Sequence, residues 1–437
     1  MAETEQQLEE LYDRAEQLRQ AGRREGIPEI CKEILAIDPG SPRALQFMSM
    51  WHLGKREFKD AVKYLKDFNT AFPNQEKMML PFAIALEEVG DYAEAVKVLR
   101  RALKLNENNY FTYLYLGSVL EHLGEKDKAA WAYAFGVDLN PSLKVLHNEE
   151  SLPKPARERV ARSNAALKKV GQSLRKQAIA KAKEKFPKGD FSRMEKIIWR
   201  KLHDAKVGIK NPKQQPLSFF IPDLDRSGWF ERDEFPWVKG LEKEFPFILK
   251  EVMANYRGDQ DTLPYLQLGG YDASTWGKLV GSKDWAACHF YDGLEKKEQN
   301  CARFPQTVEA IDKLPLFGVH GTPVEALLSV LKPKTKIPPH FGNSNARLTV
   351  HLPLVVPDGC FLTVSGEERK MEAGKCLIFD DSFKHEARND SDQVRVVLIV
   401  EVWHPDLKEE ERAAIEESYY LFDKWMSARD HDALLNG

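Results

Sequence analysis

His340, His385 and Arg395 are the residues whose types and positions offer chemistry. His340 heads "HFGNSNARLTVHLPL" and His385 stands near the end of "GKCLIFDDSFKHE", each at the margin of a β-rich run. A lone histidine in such a place is usually structural, but two neutral imidazoles converging from one small β domain could share a metal ion. The common third ligand of such a set is a carboxylate two residues after the first histidine, and that position is Gly342. Arg395 raises a different question. In "VRVVLIVEVWH", Val394, Val396, Leu398, Val400 and Val402 share one face, and Arg395, Val397, Ile399, Glu401 and Trp403 the other. The guanidinium therefore lies in a strand that is apolar on both sides. Burying it is costly unless an anion pairs with it, and its planar fork suits a carboxylate. That anion is either an internal Asp or Glu or a bound ligand.

The runs that must position these residues are "LLSVLKP", "RLTVHLPLVV", "CFLTVSG", "GKCLIFDD" and "VRVVLIVEVWH", separated by "PDG", "SGEE" and "NDSD". Short runs with this turn chemistry predict an antiparallel sandwich or barrel. They follow one another too closely for the crossover helices of a parallel sheet. The domain is entered at "PLSFFIPDLDRSGWFERDEFPWVKGLEKEF", rich in proline and aromatics.

The first third is organised differently. A shift of 34 residues brings "AIDPGSPRAL", "TAFPNQEKMM", "KLNENNYFTY" and "DLNPSLKVLH" into register; Ala61, Ala95 and Ala129 keep the same spacing, as do Gly90 and Gly124. Apolar residues between these marks recur at helical period, so each unit reads as helix, turn, helix. Small residues let the helices approach, and glycine permits the turn. The pattern is similar to the tetratricopeptide repeat, whose stacked hairpins form a solenoid with a concave face that commonly binds polypeptide. A scaffolding or dimerising role is the other reading. The first unit, near residues 5–38, is the faintest.

At 437 residues the chain has room for roughly two to three domains. A net charge of -3 gives no support to a nucleic-acid binder. The charge is segregated, however: residues 154–210 hold 18 lysines and arginines against 5 acidic residues. This segment reads as a solvated helix joining two domains or as a face for an anionic surface. The acidic, amphipathic start is no signal sequence, and no window is long and apolar enough to span a membrane. Cys31, Cys288, Cys301, Cys360 and Cys376 are widely spaced without a CxxC pair, the pattern of reduced thiols in a cytoplasm.

"HFGNSNARLTVHLPL", "GKCLIFDDSFKHE" and "VRVVLIVEVWHPDL" together resemble the oxygenase domain of the aspartyl/asparaginyl β-hydroxylase family, in order and spacing over about residues 215–405. The resemblance implies a double-stranded β-helix, jelly-roll or cupin-like, that uses iron(II), 2-oxoglutarate and dioxygen. It implies His340 and His385 as the metal ligands, with glycine in the carboxylate position and water beside it. On that reading Gly342 leaves an opening, and Gly342→Asp is expected to keep iron. Arg395 matches the arginine that holds the distal carboxylate of 2-oxoglutarate, with His351, Ser329 and Trp285 as further cosubstrate contacts. Arg347 matches a substrate-contacting arginine. Asp381, four residues before His385, is either an acceptor for metal-bound water or a turn former in "DDS". His404 is expected to be structural, and His289, His320, His52 and His122 lack convergent partners.

Two departures from the family are visible. The cysteine that pairs with the match of Cys301 is replaced by Val308, so that disulfide is lost, in keeping with a cytoplasmic protein. Thr349 stands where the relative has arginine. The expected architecture is thus multidomain α + β: a helical repeat solenoid at 1–150, a basic helical linker at 151–214, the oxygenase domain at 215–405 and a C-terminal helical extension at 406–437. The expected activity is hydroxylation of an Asp or Asn β-carbon in a protein, peptide or amino acid, yielding succinate and carbon dioxide. The repeats favour a polypeptide partner. Oxidation of a non-peptide substrate such as a lipid acyl chain, or a repeat-based binding protein with a non-catalytic oxygenase domain, are the alternatives.

Overall fold

The computed structural model describes residues 2–202, 211–224, 226–267 and 273–437. They fall into two compact units, Met1–Val170 with Ser427–Gly437, and Gly171–Met426. In the first unit, helices α1 (Ala2–Gln20), α2 (Ile27–Ile37), α3 (Pro42–Gly54), α4 (Phe58–Ala71), α5 (Glu76–Glu88), α6 (Tyr92–Leu105), α7 (Tyr110–His122) and α8 (Lys126–Leu139) form four successive hairpins. Gly22, Gly90 and Gly124 adopt φ of 71°, 84° and 80°, and Arg56, at the remaining place on that 34-residue grid, 60°. Left-handed backbone costs a non-glycine residue roughly 1–2 kcal/mol, which three of the four turns avoid. The first hairpin, faint in sequence, therefore turns in the same way as the others. Ala61, Ala95 and Ala129 are buried at helix contacts.

The next helix, α9 (Lys154–Lys185), is continuous over 32 residues, and the boundary between the units falls inside it. The expected linker at 151–214 is thus divided by packing: Arg159 joins the repeat core, whereas Trp199 packs in the second unit on Phe219 and Phe422. Residues 203–210, the end of the basic segment, lie outside the described residues. The expected extension at 406–437 is divided too. Trp199 Nε1 donates to Ser418 at 3.0 Å in the second unit, and Tyr113 hydrogen-bonds His431 at 2.7 Å in the first. Among the described residues no helix is long and apolar enough to cross a membrane.

The second unit is built on β1 (Trp229–Phe230), β2 (Trp285–Asp292), β3 (Glu325–Leu331), β4 (Thr335–His340), β5 (Arg347–Val355), β6 (Cys360–Val364), β7 (Glu367–Lys370), β8 (Leu377–Phe379), β9 (His385–Asn389) and β10 (Arg395–Trp403). Strands β3 to β10 wind between two antiparallel sheets. The larger runs β1-β8-β5-β10-β3-β2 and ends on a two-residue strand, Leu263–Pro264; the smaller runs β4-β9-β6-β7. This alternation is a double-stranded β-helix. Local chemistry fixes its registers: between β6 and β7, Ser365 and Gly366 have φ of 53° and 89°, the two left-handed residues of a type I′ hairpin.

Period-2 patterning then sorts the side chains of β10. Val396, Leu398, Val400 and Val402 enter a core with Leu348, Val350 and Leu352 of β5, and with Leu241, Ile248 and Val252 of α10 (Val238–Asn255). The opposite face looks between the sheets, where Val397 packs with Trp285, Leu331, Leu362 and Phe379. That inter-sheet space holds the candidate site.

Candidate active site

A cavity of about 580 Å³ opens between the sheets. His340 and His385 face each other across β4 and β9 as Cα partners, their ring centroids 4.0 Å apart. His340 Nδ1 lies 2.9 Å from Pro338 O, and His385 Nδ1 2.9 Å from Phe383 O. A carbonyl only accepts, so each Nδ1 carries the hydrogen and each Nε2 keeps a free lone pair. Burial and the neighbouring His385 push His340 down to about 3, and burial pushes His385 down to about 4. Both are neutral near pH 7, the form that binds metals. Among the described residues, His52, Glu57 and Asp60 on the repeat surface form the one three-donor cluster within 4.8 Å, so Asp381 does not close on the two imidazoles as a third ligand.

Arg395 lies deep in the same cavity, 1% exposed. On one side of β10, the successive strands β3 and β2 bring Ser329 and Trp285 beside it, since Leu331 pairs with both Arg395 and Trp285. Arg395 Nη2 donates to Ser329 Oγ at 3.2 Å and Trp285 Nε1 donates to the same oxygen at 3.3 Å. Among the described residues, Arg395 Nε and Nη1, and His351 Nδ1, have no hydrogen-bond partner. Burial alone pulls the guanidinium down to about 10, with no carboxylate to offset it. Buried donors left unsatisfied cost about 1–3 kcal/mol each, more when charged. Among the described residues no internal acid pairs with Arg395. His351, buried and edge-on to Phe379 at 5.2 Å, is held neutral by burial and by the Arg395 charge.

Asp381 and Asp380 divide the two roles left open for "DDS". Ser382 N and Gln214 Nε2 donate to Asp380, each at 2.9 Å, so Asp380 makes the turn. Asp381 lines the cavity, with its Oδ1 unpartnered and its pKa raised by burial against the pull of Arg347. Gly342 N also donates to Asp381 O at 2.7 Å. The expected opening beside Gly342 is corrected here: a Cβ at that position would land on the Asp381 carboxylate. An aspartate at 342 must displace Asp381 before it can reach a metal.

Arg347 lines the cavity as well, but it already faces an acid, with Nε 2.9 Å from Glu401 Oε1. The N–H is not aligned for a hydrogen bond, and Glu401 Oε2 has no partner. Glu401, Glu325 and Tyr265 are lining residues that the sequence reading passed over. Glu401 carried the signal that marked Arg395, a charge on the inner face of an apolar strand. Glu325 stands at a strand start, where an acid is unremarkable. All five cysteines are free and buried, and His404 is buried edge-on to Phe230 at 5.5 Å.

Two facing imidazoles and a buried guanidinium between the sheets of a double-stranded β-helix give a basis for comparison. Residues 242–405 match the family model of the aspartyl/asparaginyl beta-hydroxylases, and residues 2–134 that of a tetratricopeptide repeat. Over residues 242–405 the second unit is thus similar to the aspartyl/asparaginyl beta-hydroxylases, and residues 2–134 to tetratricopeptide repeats. Aspartate beta-hydroxylase domain-containing protein 2 from Rattus norvegicus is 34% identical over 208 residues, 46% of this chain and 58% of its own length. Aspartyl/asparaginyl beta-hydroxylase from Homo sapiens is 26% identical over 430 residues, 92% of this chain and 54% of its own, so that likeness takes in both units. The chain spans little more than half the length of these curated relatives. Among solved structures, a MamA protein covers 44% of this chain and 99% of its own at 23% identity, with a TM-score of 0.32.

Proposed function

We propose that the second unit is an iron(II)- and 2-oxoglutarate-dependent hydroxylase acting on a side chain presented by a polypeptide, with the aspartyl or asparaginyl side chain of its relatives' names as the first to test. The observation that carries this reading is Arg395, a buried guanidinium with two unpartnered donors, in one cavity with two imidazoles whose Nε2 lone pairs are free. His340 and His385 would hold the metal through Nε2. Arg395 and Ser329 would hold the distal carboxylate of 2-oxoglutarate, with Trp285 and His351 alongside. The bound metal, with 2-oxoglutarate and dioxygen, supplies the oxidation of an unactivated C–H bond and leaves succinate and carbon dioxide.

The chain's own groups contribute position and dryness. Ser329 already accepts from Arg395 and Trp285, so its own hydrogen is free to point at a carboxylate. Phe379, Leu362 and Ile399 line the cavity and exclude water. Asp381 would accept a hydrogen bond from water beside the metal, and Arg347 is the candidate substrate contact. The repeats would present the polypeptide. Five free, buried cysteines fit a reducing compartment.

The test is anaerobic iron(II) titration followed by turnover of 2-oxoglutarate read as succinate. One iron should bind per chain and succinate should form, and both should vanish in His385→Ala. Succinate formation unchanged in that variant would overturn the assignment.

A further inference from the structure

The cavity has two chemically opposite halves. Arg395 ends one with unpartnered donors, while Glu401, six residues along the same inner face of β10, belongs to the other. Six residues of strand span roughly 20 Å. The β10–β3 ladder ends at Val400↔Ala326, and Glu401 and Glu325 are the residues next to that rung on the two strands. Both line the cavity, and Asp381 adds a third carboxylate to the same field.

Among the described residues, one cation answers this group. Arg347 is committed to Glu401 at 2.9 Å, with Glu325 and Asp381 also in its field. Tyr265, whose ring stacks on Trp285 at 4.1 Å, hydrogen-bonds Glu325 but brings no charge. Thr349, the neighbouring inward position on β5, is neutral. Two acceptors in this half, Glu401 Oε2 and Asp381 Oδ1, are buried without a partner. A purely structural ion pair would leave neither an excess of acid nor free acceptors. Burial raises the Glu325 carboxyl to about 7, outweighing the pull of Arg347.

We propose that the half of the cavity bounded by Glu325 and Glu401 docks a positively charged group of the substrate, an ammonium or guanidinium such as a lysine or arginine side chain carries. The inference rests on reading this cavity as the hydroxylation site. It assigns Glu325 and Glu401 as specificity determinants, and it turns Arg347 from a grip for a substrate acid into the tether that holds Glu401 in place.

The experiment is calorimetric titration of the full chain, loaded with iron(II) and 2-oxoglutarate under argon, with three probes of similar size: arginine amide, lysine amide and N-acetyl-aspartic acid amide. The cationic probes should bind at least ~10-fold more tightly than the acidic one, as unlike and like charges in a partly desolvated site require. Replacing Glu325→Gln together with Glu401→Gln should erase that preference, with thermal melting to confirm that the variant folds. Tighter binding of the acidic probe by the unaltered chain, or an unchanged preference in the folded double variant, overturns the cation site. Failure of 2-oxoglutarate itself to bind overturns the hydroxylase reading instead, and 2-oxoglutarate titration of the unloaded chain separates the two.

Discussion

Arg159 in the repeat unit and Arg395 in the β-helix are both nearly removed from water, yet their surroundings differ. Arg159 Nη1 donates to Glu87 Oε1 at 2.6 Å and to Ser118 at 2.5 Å, and its guanidinium stacks on Tyr115 at 4.0 Å. Arg395 has a shared hydroxyl and no acid. A buried charge with its counter-charge is part of the scaffold; a buried charge without one carries its desolvation cost uncompensated. The same residue type at the same depth therefore means opposite things, and only the partners tell them apart.

Replacing each arginine by methionine separates the two situations. At Arg395→Met the effect is expected on binding: affinity for 2-oxoglutarate, measured by titration, should fall ~100-fold, because a charge-assisted pair is worth up to about 3 kcal/mol. Thermal stability of the ligand-free chain should hold or rise, since an unpaired buried charge is removed. A loss of stability without a loss of affinity would break the comparison from this side.

Arg159→Met should do the reverse. It strands Glu87 in the interior, for which a destabilisation of about 3–5 kcal/mol is typical, read as a lower denaturant midpoint of the repeat unit. Affinity for 2-oxoglutarate should not change. Double replacement of Arg159 and Glu87 by apolar residues should recover most of the loss, and failure to recover it would mean that Arg159 does more than balance Glu87.

His404 is a third kind of buried base, one kept neutral. Burial holds its imidazole down to about 4, against an ordinary 6.5. Between these values the unfolded chain takes up a proton that the folded chain excludes, so stability is present above pH ~6.5 and falls as pH drops toward 4, by ~3 kcal/mol at most. His404→Gln should flatten that part of the stability profile in denaturant melts from pH 7 to 4.5. A profile that keeps its slope would assign the acid sensitivity to other groups.

The repeats were legible because their contacts are local. Each hairpin buries its small residues against the next, so a 34-residue period in alanine and glycine is the fold written out linearly. Even the faint first unit obeys it, through Gly22 and Arg56. The β-helix was legible as runs and turns, and the alternation in β10 was enough to mark Arg395 as a buried charge. What the sequence could not supply was adjacency. Glu325 and Glu401 lie 76 positions apart and Asp381 falls between them; the division of labour between Asp380 and Asp381, the filling of the space beside Gly342, and the pairing of Arg347 with Glu401 all follow from strand register across two sheets. Period and burial pattern are properties of a single strand or helix, so the residues alone determined them. Whether a buried charge meets a partner depends on which distant strand lies beside it, and that only the tertiary structure decided.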